Sequence, residues 1–252
     1  MLTSFRGLLA ASLATASAIS AAPVLAQDDT ADEGIEGVSI SANVALTTDY
    51  RFRGVSLSGG DPALQGGFDV THDSGFYVGT WASSIDGGAA YGDLELDVYA
   101  GYSTQITDAV SFDIGLLYYI YPTEDLGLDT DYWEPYASIG FNLGPAEATV
   151  GAAYAWKQDS LGGEDNLYLY TDLGFSLPST PITLTGHLGY TDGVLAPPLL
   201  AGTADDTGLD WSIGASVSHG NFEASVAYVG VEGPSIDGFT DDAIVATLSA
   251  SF

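Results

Sequence analysis

The stretch Asp242-Ala-Ile-Val-Ala-Thr-Leu-Ser-Ala-Ser-Phe252 decides the fold. Taken every second residue it reads Ile244, Ala246, Leu248, Ala250 and Phe252, with Thr247, Ser249 and Ser251 between them. That is the period of a β-strand with one apolar face. A soluble sheet ending on an apolar, unprotected strand invites edge pairing. In a closed barrel that crosses a membrane, the last strand pairs with the first and no edge remains. The expectation is therefore an even number of similar strands.

Working back from that strand, twelve segments carry the same alternation: 38–50, 62–72, 76–84, 94–104, 110–121, 132–143, 147–157, 166–177, 182–191, 209–218, 222–231 and 242–252. Their lengths suit a tilted crossing of a bilayer. Tight turns such as Asp73-Ser74-Gly75, Gly144-Pro145-Ala146, Pro178-Ser179-Thr180-Pro181 and His219-Gly220-Asn221 alternate with longer segments. Those segments are Pro122–Asp131, Gln158–Asp165, Asp192–Gly208 and Glu232–Asp241. Short inner turns and long outer loops are the asymmetry of an outer-membrane barrel. Phe112, Phe141, Phe175, Phe222 and Phe252 fall at the periplasmic end of outward faces, and Trp133, Trp156, Tyr190 and Trp211 at the outer end. Two aromatic belts are expected at the two interfaces. The fold class is thus all-β: a transmembrane antiparallel up-and-down barrel of about 12 strands.

Residues 1–26 read as a cleaved export signal, with Arg6 as the basic flank, an Ala-rich apolar core and Val24-Leu25-Ala26 before the cut. Residues 27–37 form a short acidic periplasmic lead, and residues 38–252 the barrel. The chain has 34 acidic and four basic residues, a net charge of −30 at pH 7, and no cysteine. This balance excludes nucleic acid as a partner. The absence of thiols excludes disulfides and thiolate metal sites.

The polar faces point to the lumen, because a charge facing lipid is costly. They carry Glu95, Asp97, Asp113, Glu134, Glu147, Asp172, Asp210 and Glu223, together with Tyr99, Tyr119, Tyr136, Tyr168 and Tyr170. A lining of one sign focuses cations in a narrow channel. Inward glycines (Gly101, Gly115, Gly140, Gly151, Gly174, Gly189, Gly214) are expected to leave room for water. Arg51 and Arg53 continue the polar face of the first strand near its outer end. They read either as partners for neighbouring carboxylates or as one side of a transverse field at a constriction. Lys157 reads as a local partner for Asp159 or Glu164.

No catalytic residue, metal ligand or cofactor is assigned. His72-Asp73-Ser74 resembles the His-x-Ser of the twelve-stranded outer-membrane phospholipase, yet a tight turn explains Asp-Ser-Gly without catalysis. His187 is a lone inward residue, read as a hydrogen-bonded wall residue, and His219 belongs to a turn. The acidic loops carry no calcium-loop spacing.

The run Asn43-Val-Ala-Leu-Thr-Thr-Asp-Tyr-Arg-Phe-Arg-Gly-Val-Ser56, followed by Asp61–Asp69 and by Ser74–Ser83, resembles the opening of the TorF-type family of outer-membrane porins, proteobacterial proteins of unknown function. The resemblance spans about residues 40–104 and implies an outer-membrane channel without a defined substrate. Phe252 likewise resembles the terminal aromatic that signals barrel assembly. The expected partners are outer-membrane lipid and lipopolysaccharide, the barrel assembly machinery, and small solutes or cations. The expected function is a passive, cation-preferring pore for small hydrophilic solutes in a Gram-negative outer membrane. The alternative is a closed barrel that binds through its acidic outer loops.

Overall fold

The computed structural model describes residues 36–252. The expected export signal (1–26), and the acidic lead (27–37) apart from Glu36 and Gly37, lie outside the described residues. Fourteen strands run in chain order: β1 Val38–Thr47, β2 Arg51–Phe52, β3 Val55–Ser56, β4 Ala63–His72, β5 Phe76–Ser84, β6 Leu94–Thr107 and β7 Val110–Ile120. They continue with β8 Tyr132–Asn142, β9 Ala146–Ala155, β10 Asn166–Ser176, β11 Ile182–Gly193, β12 Thr207–His219, β13 Phe222–Val231 and β14 Ala243–Ser251. Twelve of them close one antiparallel barrel, whereas β2 and β3 form a separate two-stranded hairpin.

Each barrel strand pairs with its sequence neighbour, and β14 returns to β1 in the register Leu46↔Leu248. Main-chain bonds in both directions between Ala42 and Phe252, at 2.8 and 3.0 Å, finish that seam. Every strand thereby has a partner on both sides, which satisfies its backbone groups without water.

The faces sort as the alternation requires. Outward positions expose large apolar side chains such as Ile40, Leu64, Leu173, Ile213, Ile244 and Leu248 to the surroundings. In water this would be a large sticky surface; in a bilayer it is the lipid-facing band. Inward positions bury Glu95, Glu134 and Asp210 to 2% exposure or less. One mechanism explains both faces: hydrocarbon takes the apolar side and the polar side is left to the lumen.

Turns 73–75 and 220–221 hold their chain reversals with glycines at positive φ, Gly75 at 100° and Gly220 at 61°. Two one-turn helices, α1 Gly88–Tyr91 and α2 Pro197–Leu200, lie in the long loops at the other end.

Candidate functional site

The first outer loop, residues 48–62, enters the barrel. β1 stops at Thr47, so Arg51 and Arg53 lie on the separate hairpin and do not prolong the first strand. The hairpin is organised by one buried carboxylate. Asp49 Oδ1 accepts from the hydroxyls of Ser56 (2.6 Å) and Ser58 (3.2 Å), and Arg51 Nε donates to Asp49 Oδ2. β2 and β3 pair Arg51 with Ser56 and Phe52 with Val55, leaving Arg53-Gly54 as a two-residue turn. Both turn residues have positive φ, 49° and 77°, as a type I′ turn requires. An arginine in the left-handed region costs about 1 kcal/mol. Gly54 is required for space as well. A Cβ there would stand 2.3 Å from Val231 Cγ1 and 3.0 Å from Asp210 Cβ.

From this turn the side chains spread to the wall. The Tyr50 hydroxyl donates to Glu95 Oε1 at 2.6 Å on β6, and its ring meets Trp81 of β5 edge-on at 5.4 Å. Phe52 meets Tyr119 of β7 at 5.8 Å. Arg53 Nη2 donates to Glu134 Oε2 of β8 at 2.6 Å, with its Cζ 4.3 Å from the ring centre of Tyr168 on β10. Arg51 Nη1 donates to the carbonyl of Asp241 at 2.7 Å, and the Ser56 amide donates to that of Phe239 at 2.8 Å. The last two bonds tie the hairpin to the final outer loop. Tyr50, Arg51, Arg53 and Val55 are all at most 4% exposed. The hairpin therefore fills much of the outer half of the lumen. A cavity of about 60 Å³, room for a few waters, remains between it and the wall around Asp172, His187, Asp210 and Thr247.

The eight acids named from the sequence all occupy inward positions, but most are engaged by neighbours. Glu95 accepts from Tyr50 and, at 3.0 Å, from Tyr121. Glu134 accepts from Arg53 and, at 3.1 Å, from Tyr119. Asp113 accepts from Tyr77 at 2.9 Å. His187, the lone inward histidine, bridges two of them: Nδ1 lies 2.6 Å from Asp172 Oδ1 and Nε2 lies 3.0 Å from Asp210 Oδ1. Asp97 is buried beside Glu95 and Glu134, and among the described residues its Oδ1 has no hydrogen-bond partner. Glu147 and Glu223 sit towards the short-turn end of the barrel, the latter accepting from the Ser218 hydroxyl at 2.8 Å.

The inward glycines serve a different purpose from the expected one. A Cβ on Gly101 would strike Tyr77 Oη at 2.3 Å, one on Gly115 would strike Tyr136 Oη at 2.2 Å, and one on Gly151 would strike Tyr170 Cζ at 2.3 Å. In each case the glycine is the direct cross-strand partner of its tyrosine. Tyr168 covers Gly189 from a diagonal position, since the direct cross-strand partner of Gly189 is Tyr170. The glycines make room for flat tyrosine rings, so the lumen gains an aromatic lining in place of water. Inward faces that carry Tyr and Gly but no Phe hold that signal, and only the register says which ring covers which glycine.

Elsewhere, Lys157 Nζ pairs with Glu164 Oε2 at 2.9 Å on an exposed loop. His72 Nδ1 lies 2.7 Å from Ser74 Oγ and also accepts the Ser74 amide at 3.0 Å. This contact spans two residues in an exposed turn, and among the described residues no side chain orients the other ring nitrogen. Among the described residues, no group of three or more His, Cys, Asp or Glu side chains is placed to hold a metal ion.

Comparison with solved structures gives the same architecture. The chain is similar to the NanC porin, with a TM-score of 0.56 and 10% identity over 85% of this chain and 99% of that one. It is similar to the KdgM porin, solved in complex with disordered oligogalacturonate, with a TM-score of 0.55 and 9% identity over 84% and 97% of the two chains. At these identities the likeness establishes the fold. Nothing among curated proteins matches the chain. A family model described as "Bacterial protein of unknown function (Gcw_chp)" matches residues 31–252, and the chain belongs to that family.

Proposed function

We propose that this barrel is an outer-membrane channel of narrow bore for small hydrophilic solutes, with a preference for cations. The observation that carries the reading is the inward hairpin, a constriction set in a polar, carboxylate-rich lumen. Around it the wall presents Glu95, Asp97, Glu134, Asp172 and Asp210, and the hairpin brings only Arg51 and Arg53. Carboxylates in excess at a low-dielectric constriction favour cations over anions. The porin-like fold and the resemblance of residues 40–104 to the TorF-type family support the same reading, as does the apolar outer band for a Gram-negative outer membrane. The reading involves no reaction: lumen charge and the position of the hairpin set what passes. Lipid and lipopolysaccharide would surround the barrel, and Phe252 would be presented to the assembly machinery before the seam closes.

The test is a planar bilayer with the refolded protein, recording the zero-current potential across a potassium chloride gradient. Discrete conductance steps with a cation-selective potential are expected; an anion-selective potential overturns the preference. The burial of the hairpin also favours a second reading, a closed barrel that acts through its acidic outer loops. A folded barrel that stays silent even after residues 50–57 are replaced by a Gly-Ser link would establish that second reading against the first.

A further inference from the structure

Arg53 stands in a setting that the barrel wall builds without it. Glu134 is 2% exposed, held by the Tyr119 hydroxyl at 3.1 Å, and projects from β8. Tyr168, 3% exposed, presents its ring from β10 at 4.3 Å from the Arg53 guanidinium carbon. Phe52 adds a second ring at 4.7 Å, from the hairpin itself. The carboxylate and the Tyr168 ring sit on rigid barrel strands, whereas the cation arrives on a loop.

The fit is incomplete in an informative way. Both Arg53 and Tyr119 bond to Glu134 Oε2, and among the described residues the buried Oε1 has no hydrogen-bond partner. Asp97, 4% exposed and adjacent to Glu134, likewise keeps Oδ1 without a partner. A guanidinium matches a carboxylate best through two parallel bonds, one to each oxygen. The tethered guanidinium reaches Oε2 and leaves Oε1 open. Its backbone also sits in the left-handed region at φ 49°, where arginine is disfavoured. The chain thus places an arginine at a strained position, where it engages one oxygen of a buried carboxylate and leaves the other open.

We infer that the Glu134–Tyr168 seat is a binding site for guanidinium-type organic cations, occupied in cis by Arg53 at the constriction. A planar, delocalised cation suits a carboxylate edge beside aromatic faces. Hard inorganic cations need a shell of six or more oxygens, which ring faces do not supply. A permeating guanidinium compound would compete with Arg53 for Glu134 and displace the hairpin as it binds. The transport meaning rests on the channel reading, but binding is measurable without conductance.

The experiment uses the refolded mature Arg53→Ala protein in detergent, titrated with ethylguanidinium, which replaces the atoms removed beyond Cβ. Binding is followed by intrinsic tyrosine and tryptophan fluorescence and by the thermal transition. Saturable binding is expected with half-saturation of roughly 1–10 mM, since a free cation loses the high local concentration of a tethered one. Ethylammonium should bind roughly tenfold more weakly, the equivalent of about one charge-assisted hydrogen bond. The pair Arg53→Ala and Glu134→Gln together should abolish the response. In bilayers, Arg53→Ala should conduct more than the unaltered protein, and ethylguanidinium should return the current towards the original level.

Absence of saturable binding, or binding that survives Glu134→Gln, overturns the site. Binding without conductance keeps the site and removes the channel. Heat-dependent mobility on gels checks that Arg53→Ala is folded. If it is not, Arg53→Lys keeps the charge and serves instead: ethylguanidinium should displace that lysine, and failure to bind there overturns the proposal.

Discussion

Gly54→Ala tests whether the hairpin limits the passage. At φ 77° any side chain pays about 1 kcal/mol for the left-handed backbone. The new methyl would also stand 2.3 Å from Val231 Cγ1, 3.0 Å from Asp210 Cβ and 3.2 Å from the Gly230 carbonyl oxygen. Val231 is β-branched and stiff, and the other two atoms belong to, or adjoin, the barrel backbone, so neither yields cheaply. Overpacking of this kind costs about 1–3 kcal/mol. Together the terms weigh about 2–4 kcal/mol against the docked hairpin, roughly a 30- to 700-fold shift towards the undocked state. The barrel ladders are untouched, so the protein should fold and keep its heat-dependent mobility. Single-channel recording should then show longer or larger open states than in the unaltered protein. Gly162→Ala is the control: its φ is 69° and a Cβ there meets nothing within 4 Å, so it carries backbone strain without a clash. Identical conductance in Gly54→Ala, Gly162→Ala and the unaltered chain would refute the claim that this hairpin is the constriction.

Three further outcomes follow from the geometry. Gly101→Ala sets a methyl 2.3 Å from Tyr77 Oη and 2.6 Å from the Ile114 carbonyl oxygen, so the barrel should lose about 1–3 kcal/mol, read as a lower urea midpoint; an unchanged midpoint would show that the ring moves aside freely. His187→Ala leaves Asp172 and Asp210 without the imidazole between them, and the potassium-to-chloride permeability ratio should rise; an unchanged ratio would mean the cavity is not on the ion path. In the outer loop, the Tyr154 hydroxyl donates to Asp165 at 2.7 Å and holds that carboxyl below the ordinary carboxylate range. The contribution of this contact to loop order is present above the ordinary value of about 4 and is lost as pH falls through the lowered one. Tyr154→Phe should return the Asp165 titration, followed by carbon NMR, to the ordinary range, and an unmoved midpoint would deny the coupling.

The alternation in Ile244–Phe252, and in each segment like it, was sufficient for the strands because period two is a local property. Lipid on one side and polar atoms on the other leave one solution for each face. The same logic placed Glu95, Asp97 and Asp210 inward, since any other position sets a charge against hydrocarbon. It failed at Tyr50-Arg51-Phe52-Arg53-Gly54, whose alternation continues that of the first strand. The Phe-Arg-Gly-Val step was available as a two-residue turn signal, though Arg is an unusual residue at its first position.

Nor did the inward glycines disclose their role, because Gly101 meets Tyr77 and Gly115 meets Tyr136 only through strand register. Composition and periodicity by themselves determined a closed membrane barrel with an acidic, tyrosine-rich interior. Only the tertiary structure decided that a hairpin fills much of the outer half of that interior. The path of residues 48–62 depends on Asp241, Glu95, Glu134 and Asp210, which the chain separates widely and only ring closure turns towards one space.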